Sequence, residues 1–258
     1  MIDLHIHVLS GLDDGADDVS ASLQMCRLAA ADGETTLVAA AHMFDGMHDV
    51  SRPDLLRGVQ SLRDALDAGG LSMRIEPAGD THIGPDLADR FRAGETVTIG
   101  DAGRYLLVEF PRDIVPPGAR DVLFELMLED VTPIITHPER NREIQNCPEV
   151  LADLVREGVL SQLTAGSLLG RFGETTADCA RELLTRNMAH VVASDAHSPI
   201  HRAPGLARAR RMAADLVGEE RADQIFEFWP GDILAGRPVN APQPRKPDRK
   251  KAWFLSFA

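Results

Sequence analysis

Residues 1–15 read MIDLHIHVLSGLDDG, and two histidines of this stretch, His5 and His7, lie two positions apart in an apolar run. Side chains two positions apart on a β-strand point to the same face of the sheet. The pair is therefore either the polar face of a half-buried strand or the first two ligands of a metal site. The choice depends on whether other strands end in further ligands.

Apolar runs typical of strands alternate with amphipathic stretches typical of helices along the chain, such as 20–33, 52–69, 119–130 and 174–187. Because parallel neighbours cannot be joined by a tight turn, this alternation predicts parallel strands with crossover helices. We predict an α/β fold, a distorted seven-stranded β/α barrel of the TIM type, with an open doubly wound sheet as the alternative. No Gly-x-Gly-x-x-Gly motif follows the first strand, which weakens a nucleotide-binding version of that alternative. The predicted strands are MIDLHIHV, TTLVAAAH, SMRIEPAGD, RYLLVEF, VTPIITH, GVLSQLT and AHVVASD.

Composition narrows the class of protein. The 258 residues can bury one substantial core, and the net charge of -13 argues against a nucleic-acid-binding surface. No apolar run approaches the roughly 20 residues that span a bilayer, and the start of the chain lacks a basic, apolar leader. We therefore expect a cytoplasmic protein that is not an integral membrane protein.

The charge is unevenly distributed along the chain. From Arg237 onward there are six basic residues and one Asp, a net charge of +5, which leaves -18 for the rest. We expect residues 1–239 to form one domain and residues 240–258 to form a flexible, proline-rich basic tail. All the lysines lie in that tail. A P-loop lysine, a Schiff-base lysine and a carbamylated lysine that bridges two metals are thus excluded if the tail lies outside the site.

The cysteines do not indicate a site. Cys26, Cys147 and Cys179 form no CxxC pair, so neither a disulfide framework nor a zinc knuckle is predicted. A cysteine-dependent phosphatase needs an arginine six residues after its nucleophile, and none of the three has one. We interpret them as small core residues.

Further histidines and carboxylates fall at the ends of the other predicted strands, except the sixth. Since the carboxyl ends of parallel strands form one rim, we expect these side chains to meet in one cleft. One ion uses four to six ligands, so the set predicts two or more ions, with bridging carboxylates. Nitrogen and oxygen donors without thiolates suit manganese, iron or zinc. The candidate ligands are His5, His7, His42, Asp80, Glu109, His137, Asp195 and His197.

Two arginines follow ligand-bearing strand ends. Arg140 lies in THPERN, and Arg202 lies in SDAHSPIHRAP. A guanidinium group donates paired hydrogen bonds to phosphate oxygens and stays charged, whereas surface salt bridges are the alternative role. Together with a cluster of cations, they favour a phosphate-bearing substrate.

The segments DLHIHVLSGLDDG, AAAHMFDGMHD, AGDTHIGPDL, LLVEFPR, PIITHPERN and HVVASDAH together resemble the polymerase and histidinol phosphatase (PHP) superfamily. Within it, the chain is most similar to bacterial manganese-dependent protein-tyrosine phosphatases of capsule and exopolysaccharide operons. The resemblance covers residues 1–239 and implies a PHP-type barrel that holds two to three divalent ions, manganese before iron or zinc. It makes seven of the eight candidates, all except Asp80, metal ligands, with Asp14 as a further ligand or a close neighbour. The family more usually has glutamate at the position of Asp80, so this shorter carboxylate is expected to bind one ion or to act through water.

The resulting hypothesis is phosphomonoester hydrolysis by a metal-bound hydroxide. Arg140 and Arg202 neutralise the phosphoryl oxygens, and Asp14, His42 or a metal-bound water protonates the leaving group. The resemblance suggests that the substrate is the phosphorylated tyrosine-rich tail of a bacterial tyrosine kinase that controls polysaccharide export. An oligomer is compatible with the sequence, and we assign no task to Asp13.

Three other functions remain open. A small-molecule phosphatase would act on histidinol phosphate or a sugar phosphate. A metal-dependent amidohydrolase also begins with HxH, but its binuclear sites commonly use a carbamylated lysine, which the body of this chain lacks. Mononuclear variants remain possible but have no use for Arg140 and Arg202. A catalytically silent metal-binding scaffold would have lost ligands, which this sequence retains.

Overall fold

The computed structural model describes residues 1–48 and 50–246. Within these ranges the chain forms one sheet of seven parallel strands. The strands are β1 (Ile2–Ile6), β2 (Thr36–Met43), β3 (Arg74–His82), β4 (Tyr105–Glu109), β5 (Thr132–Thr136), β6 (Leu160–Thr164) and β7 (Val191–Ala193). Their order in the sheet follows their order in the sequence. Each strand coincides with a predicted one.

The sheet curves until its first and last strands meet. The backbone N–H of His7 donates to the carbonyl of Ala196 at 2.9 Å, and the N–H of Asp195 donates to the carbonyl of His5 at 2.9 Å. These bonds join the end of β1 to the segment after β7. The barrel is therefore nearly closed, which confirms the predicted seven-stranded barrel.

Helices connect the strands and cover the outside of the barrel. None of those in the described ranges is long and apolar enough to cross a membrane. The segments predicted as helices, 20–33, 52–69, 119–130 and 174–187, coincide with four of them. The helices are α1 (Val19–Asp32), α2 (Arg52–Ala68), α3 (Leu87–Arg92), α4 (Ala119–Leu128), α5 (Arg142–Asn146), α6 (Glu149–Arg156), α7 (Ala165–Leu168), α8 (Glu174–Thr185), α9 (Ala207–Val217), α10 (Glu219–Asp223) and α11 (Trp229–Leu234).

Helix α2 shows how the local sequence sets these elements. The Ser51 side chain accepts from the backbone N–H of Asp54, and the Asp54 carboxylate accepts from the N–H of Ser51, so a capping box starts the helix. Its apolar residues recur at helical spacing and face the barrel. The buried ones are Leu55, Val59, Leu62 and Leu66.

Alternation along the strands places the site on top of the barrel's apolar interior. On each of three strands, a polar residue lies two positions after the last apolar side chain of the interior. These residues are His42 on β2, Asp80 on β3 and Glu109 on β4. Because side chains two positions apart share a face, these polar groups point into the same end of the barrel. The interior side chains are Leu4, Val38, Ala40, Ala78, Leu107, Ile134, Leu160 and Val191.

Part of the predicted tail lies along the end of α8. The N–H of Arg245 donates to the carbonyl of Arg186 at 2.8 Å, and Asn187 Nδ2 donates to the carbonyl of Gln243 at 3.2 Å. Residues 240–246 are thus bonded to the body through the backbone. Residues 247–258, which complete the predicted tail, lie outside the described residues.

Two acidic side chains near the barrel seam hold the start of α9. Glu34 Oε1 accepts from the N–H of Leu206 at 2.9 Å, and Asp32 Oδ2 accepts from the N–H of Ala207 at 2.7 Å. The N–H groups at a helix start have no partner inside the helix, so these bonds satisfy them. Burial, and then the nearby Asp3, raise the pKa of Glu34 to about 9.

We expect Glu34→Gln to stabilise the fold increasingly as the pH rises. Between its ordinary pKa of 4.5 and about 9, Glu34 holds a proton only in the folded chain, so the stability of the wild type falls with pH in that window. Glutamine still accepts from Leu206 and does not titrate. The free energy of unfolding, variant minus wild type, should increase by at least about 1 kcal/mol from about pH 5 to about pH 8.

Urea denaturation at the two pH values measures this difference. Glu125→Gln, at an exposed position on α4, is the matched control. A difference that does not change with pH would show that Glu34 is ionised in the folded chain.

Candidate metal centre

Strand register brings the predicted ligands together at the carboxyl end of the barrel. His42 on β2 is the register partner of Asp80 on β3, and Glu109 on β4 is the partner of Thr136, the residue before His137. Parallel neighbours lie about 4.8 Å apart, so the register alone makes these side chains adjacent. Residues nearly 100 positions apart in the sequence thus form one cluster.

The potential ligand atoms form three groups, and within each group all the atoms lie within 4.8 Å of one another. The first group is the most open, because the Asp14 carboxylate is 54% exposed, and the second is wholly buried. His7 belongs to the first two groups, while His42 belongs to the first and third. The groups are His7, Asp14, His42 and His197; His5, His7 and Asp80; and His42, Asp80 and Glu109.

The opening HIH pair forms the deepest part of the cluster. The Nε2 atoms of His5 and His7 lie 2.9 Å apart, and both imidazoles are fully buried. Nδ1 of His5 lies 2.8 Å from Oε1 of Gln162, and Nδ1 of His7 lies 2.7 Å from Oδ2 of Asp13. These partners fix the ring orientations and leave both Nε2 atoms toward the cluster, as second partners of metal-bound histidines do.

Asp80 is positioned as a ligand despite its short side chain. Its Oδ2 atom lies 3.4 Å from His5 Nε2 and 3.5 Å from His42 Nδ1. Among the described residues, Asp80 Oδ2 has no hydrogen-bond partner although it is buried, and the nearest carboxylate oxygens to the buried His42 Nδ1 lie only at 3.5 Å, on Asp80 and Glu109. Buried polar atoms without partners are costly, so a cation between them fits the chemistry of the donors.

His137 and Asp195 lie at the edge of the three groups and belong to none of them. His137 Nε2 is 3.3 Å from Glu109 Oε1, and Asp195 Oδ1 is 3.9 Å from His5 Nε2. Both residues adopt left-handed backbone conformations, with φ of +36° and +49°. Such conformations in non-glycine residues cluster at functional sites.

The two predicted phosphate-binding arginines meet on one carboxylate. Arg140 Nη1 and Arg202 Nη2 each donate to Asp195 Oδ2 at 2.7 Å. Their guanidinium carbons lie 4.9 and 5.9 Å from the centre of the Phe172 ring. Asp195 and Phe172 therefore hold both guanidinium groups beside the ligand groups, and Arg202 Nε has no hydrogen-bond partner among the described residues.

At His7, His197 and Glu109, the electrostatics of the cluster favour neutral imidazoles and an ionised carboxylate. Burial lowers the pKa of His7 well below its usual range and that of His197 to about 4. Although burial opposes it, hydrogen bonds from His137 and His42 hold the pKa of Glu109 well below its usual range. Neutral imidazole and ionised carboxylate are the forms that bind metals.

The pKa of His42 shows that the local electrostatic potential is negative. Burial alone would lower its pKa, but hydrogen bonds to Asp14 and Glu109 raise it to about 11. The carboxylates around His42 thus create a negative potential that also attracts a divalent cation. Asp80, further inside, has its pKa raised to about 7 by burial and then by Glu109.

The motif THPERN folds so that each polar residue has a separate contact. His137 and Arg140 face the cluster, whereas Glu139 is buried and accepts from the N–H of Thr164 on β6 at 2.9 Å. Asn141 caps α5 by accepting from the N–H of Ile144 at 3.0 Å, and its Nδ2 donates to two carbonyls of the loop after β4. The motif therefore ties β4, β5 and β6 together beneath the cleft.

Comparison with known proteins identifies the family. The family model for capsular polysaccharide synthesis, CpsB/CapC, matches residues 1–235. The tyrosine-protein phosphatase YwqE of Bacillus subtilis is 35% identical over 257 residues, which cover 100% of both chains. The chain belongs to the CpsB/CapC family.

A second relative, the tyrosine-protein phosphatase CpsB of Streptococcus pneumoniae, is 24% identical over 239 residues, which cover 91% of this chain and 98% of CpsB. Among solved structures, one described with YwqE and CpsB as unique metal-dependent tyrosine phosphatases superimposes with a TM-score of 0.91 at 31% identity. It covers 96% of this chain and 100% of its own. The predicted membership is confirmed, and the PHP-type superfamily is consistent with it.

More distant structures share the barrel alone. An organophosphorus hydrolase from Deinococcus radiodurans superimposes with a TM-score of 0.55 at 18% identity, and covers 90% of this chain and 92% of its own. This similarity shows a common fold. It does not transfer an activity to the CpsB/CapC member described here.

Three residues at the site were missed in the sequence. Asp13 also accepts from the N–H of His42 at 3.0 Å, so it links the first two strands of the cluster. Gln162 lies on the one strand for which no candidate was predicted, and Phe172 carries no charge. The spacing of Asp13 after HIH was the only available signal, since it follows the pair directly in the same loop as Asp14.

We expect Asp13→Asn to weaken metal binding in a folded protein. An amide cannot supply the charge that orients the His7 imidazole, and loss of such a partner reduces metal affinity by about 10-fold to 100-fold. Isothermal titration with Mn²⁺ after chelation measures the affinity. Asp17→Asn, at an exposed position of the same loop, is the control. An unchanged affinity in Asp13→Asn would show that Asp13 does not orient a ligand.

Proposed function

We propose that the protein is a metal-dependent phosphomonoester hydrolase that acts on phosphotyrosine in proteins. The observation that carries this proposal is the placement of two guanidinium groups on Asp195, beside three groups of potential metal ligands. Cations and arginines converge in this way where a phosphoryl group must be bound. The named activity of the relatives YwqE and CpsB supports tyrosine phosphate as the substrate.

Two or three divalent ions, with manganese first, fit the donor set. The nine proposed ligands supply imidazole nitrogens and carboxylate oxygens without a thiolate. When bound, such ions neutralise phosphoryl oxygens and make water more acidic. The proposed ligands are His5, His7, Asp14, His42, Asp80, Glu109, His137, Asp195 and His197.

The chain's own residues bind and orient the phosphoryl group. Each arginine uses one nitrogen on Asp195 and keeps other N–H donors for phosphoryl oxygens. Because Asp195 and Phe172 fix both side chains, little reorganisation is required when charge develops in the transition state. Arg140 and Arg202 are therefore the proposed catalytic residues.

Asp14 is better suited to bind a metal ion than to act as the general acid for the leaving group. Its hydrogen bond with His42 lowers the pKa of Asp14 to about 2, so it is ionised at neutral pH. An ionised carboxylate cannot protonate the leaving phenolate. A phenolate needs less protonation than an alkoxide, and this difference favours tyrosine phosphate over serine phosphate.

The proposed physiological substrate is the tyrosine-phosphorylated tail of a kinase of capsular or exopolysaccharide synthesis. The family description links the chain to capsular polysaccharide synthesis. A tail phosphorylated with ATP lies in the cytoplasm, so this substrate would place the phosphatase there. The resemblance noted in the sequence supplies the kinase as the partner.

We expect the metal-loaded protein to hydrolyse a phosphotyrosine peptide at least about 100-fold more efficiently than histidinol phosphate. The rate of phosphate release gives kcat/KM for each of the two substrates. Chelation should abolish release, and added Mn²⁺ should restore it. Preference for histidinol phosphate would make the protein a small-molecule phosphatase, and cleavage of esters or amides without phosphate release would favour an amidohydrolase.

We expect Arg202→Ala and Arg140→Ala each to reduce kcat/KM for the phosphotyrosine peptide by about 100-fold, the usual effect of losing one charge-stabilising donor. Arg142→Ala is the matched control, because Arg142 lies in the next turn of the same segment and is exposed. Bound metal is measured in each variant to show that the ligand groups are intact. Full activity in both variants would remove the arginines from the mechanism.

A further inference from the structure

A second, larger cavity opens beside the metal cleft. The cleft has a volume of about 260 Å³, and the neighbouring groove has about 730 Å³. Met47 and His48 line both of them. A polypeptide whose phosphorylated side chain enters the cleft would therefore pass over these two residues into the groove.

The loop after β2 holds Met47 between the two cavities. Asp45 Oδ1 accepts from the N–H of Met47 at 2.9 Å and from the N–H of His48 at 2.8 Å. Asp45 Oδ2 lies 2.7 Å from His48 Nδ1, and Phe44 adopts a left-handed backbone with φ of +63°. This loop exposes 81% of Met47 to solvent. The loop backbone is held in place, and it presents a flexible apolar side chain at the mouth of a charged cleft. Such an arrangement is typical of a binding surface.

Part of the groove wall is apolar, and the arginines and the glutamate among its described lining residues are already paired, Glu95 with Arg90 at 3.2 Å. Arg52 donates to both carboxylate oxygens of Asp101 at 2.6 Å. Arg90 donates to Asp86 at 2.6 Å, and its guanidinium carbon lies 4.4 Å from the centre of the Phe44 ring. Neither arginine is free to attract an acidic ligand.

The apolar part of the wall comes from side chains on both sides of the opening. Phe44, Met47 and Val50 belong to the segment between β2 and α2, and Pro53 belongs to the first turn of α2. These groups gain most by contact with other apolar groups. The groove thus suits uncharged, apolar residues.

We propose that this groove binds the residues that flank phosphotyrosine in the substrate polypeptide and that it selects apolar side chains there. The proposal rests on the proposed phosphatase function and adds a sequence preference to it. Its basis is the shared wall of Met47 and His48, the exposed Met47 side chain and the paired arginines.

Two peptides of equal length test the preference. Each carries one non-hydrolysable phosphonodifluoromethyl-phenylalanine, flanked by Leu and Val in one peptide and by Asp and Ser in the other. Fluorescence anisotropy with the full-length, Mn²⁺-loaded protein gives the two Kd values. We expect the apolar peptide to bind about tenfold more tightly, which corresponds to about 1.4 kcal/mol.

Two substitutions in the groove should change that ratio. Met47→Ser should reduce it to about threefold or less, since one apolar contact is lost. Pro53→Lys should reduce it by attracting the acidic peptide. Ile200→Ser is the control, because Ile200 is 75% exposed in a loop after β7 and does not line the groove.

Equal binding of the two peptides by the wild type, or a ratio that Met47→Ser leaves unchanged, would overturn the proposal. Equal loss in Ile200→Ser would also overturn it. Sedimentation velocity tests the alternative in which Met47 mediates contact between copies of the chain. Self-association together with equal Kd values for the two peptides would show that the groove does not bind the flanking residues. Hydrolysis of phenyl phosphate tests the proposed function separately, because that substrate has no flanking residues.

Discussion

The burial of histidines and carboxylates at one end of the barrel is the constraint on which the site depends. His5, His7 and Asp80 are fully buried, and charged groups in such a place must be paired or bind cations. Asp195 meets this requirement with two arginines, whereas Asp80 Oδ2 has no hydrogen-bond partner in the part of the chain that the structure describes. The same constraint explains why Asp13 and Gln162, which carry no proposed metal, still hold imidazoles in fixed orientations.

The fold could be predicted, and the proposed ligands could be expected at one rim, because both inferences depend on periodicity. Alternation of period two identifies the strands, and parallel topology brings their carboxyl ends to one rim. The predicted strand ends were less accurate. VTPIITH and AHVVASD were predicted as strands up to His137 and Asp195, but β5 ends at Thr136 and β7 at Ala193. Both residues turn out of the strand with positive φ, and local sequence gives no signal of that conformation.

The rest of the site depends on distances that periodicity does not contain. Gln162 contacts His5 across 157 positions, and an amide was not among the residue types expected at a metal site. Phe172 carries no charge, and only the structure shows both guanidinium groups beside its ring. For Asp80, the sequence indicated a shorter reach than glutamate, but register with His42 places its carboxylate within 3.5 Å of two imidazoles.

We propose that this buried cluster is a centre for more than one metal ion. Anomalous diffraction from crystals of the protein grown with Mn²⁺, recorded at the manganese edge, tests it most directly. We expect at least two anomalous peaks within ligand distance of the groups around His5, His42 and Glu109. A single peak, or peaks only at surface carboxylates, would contradict it.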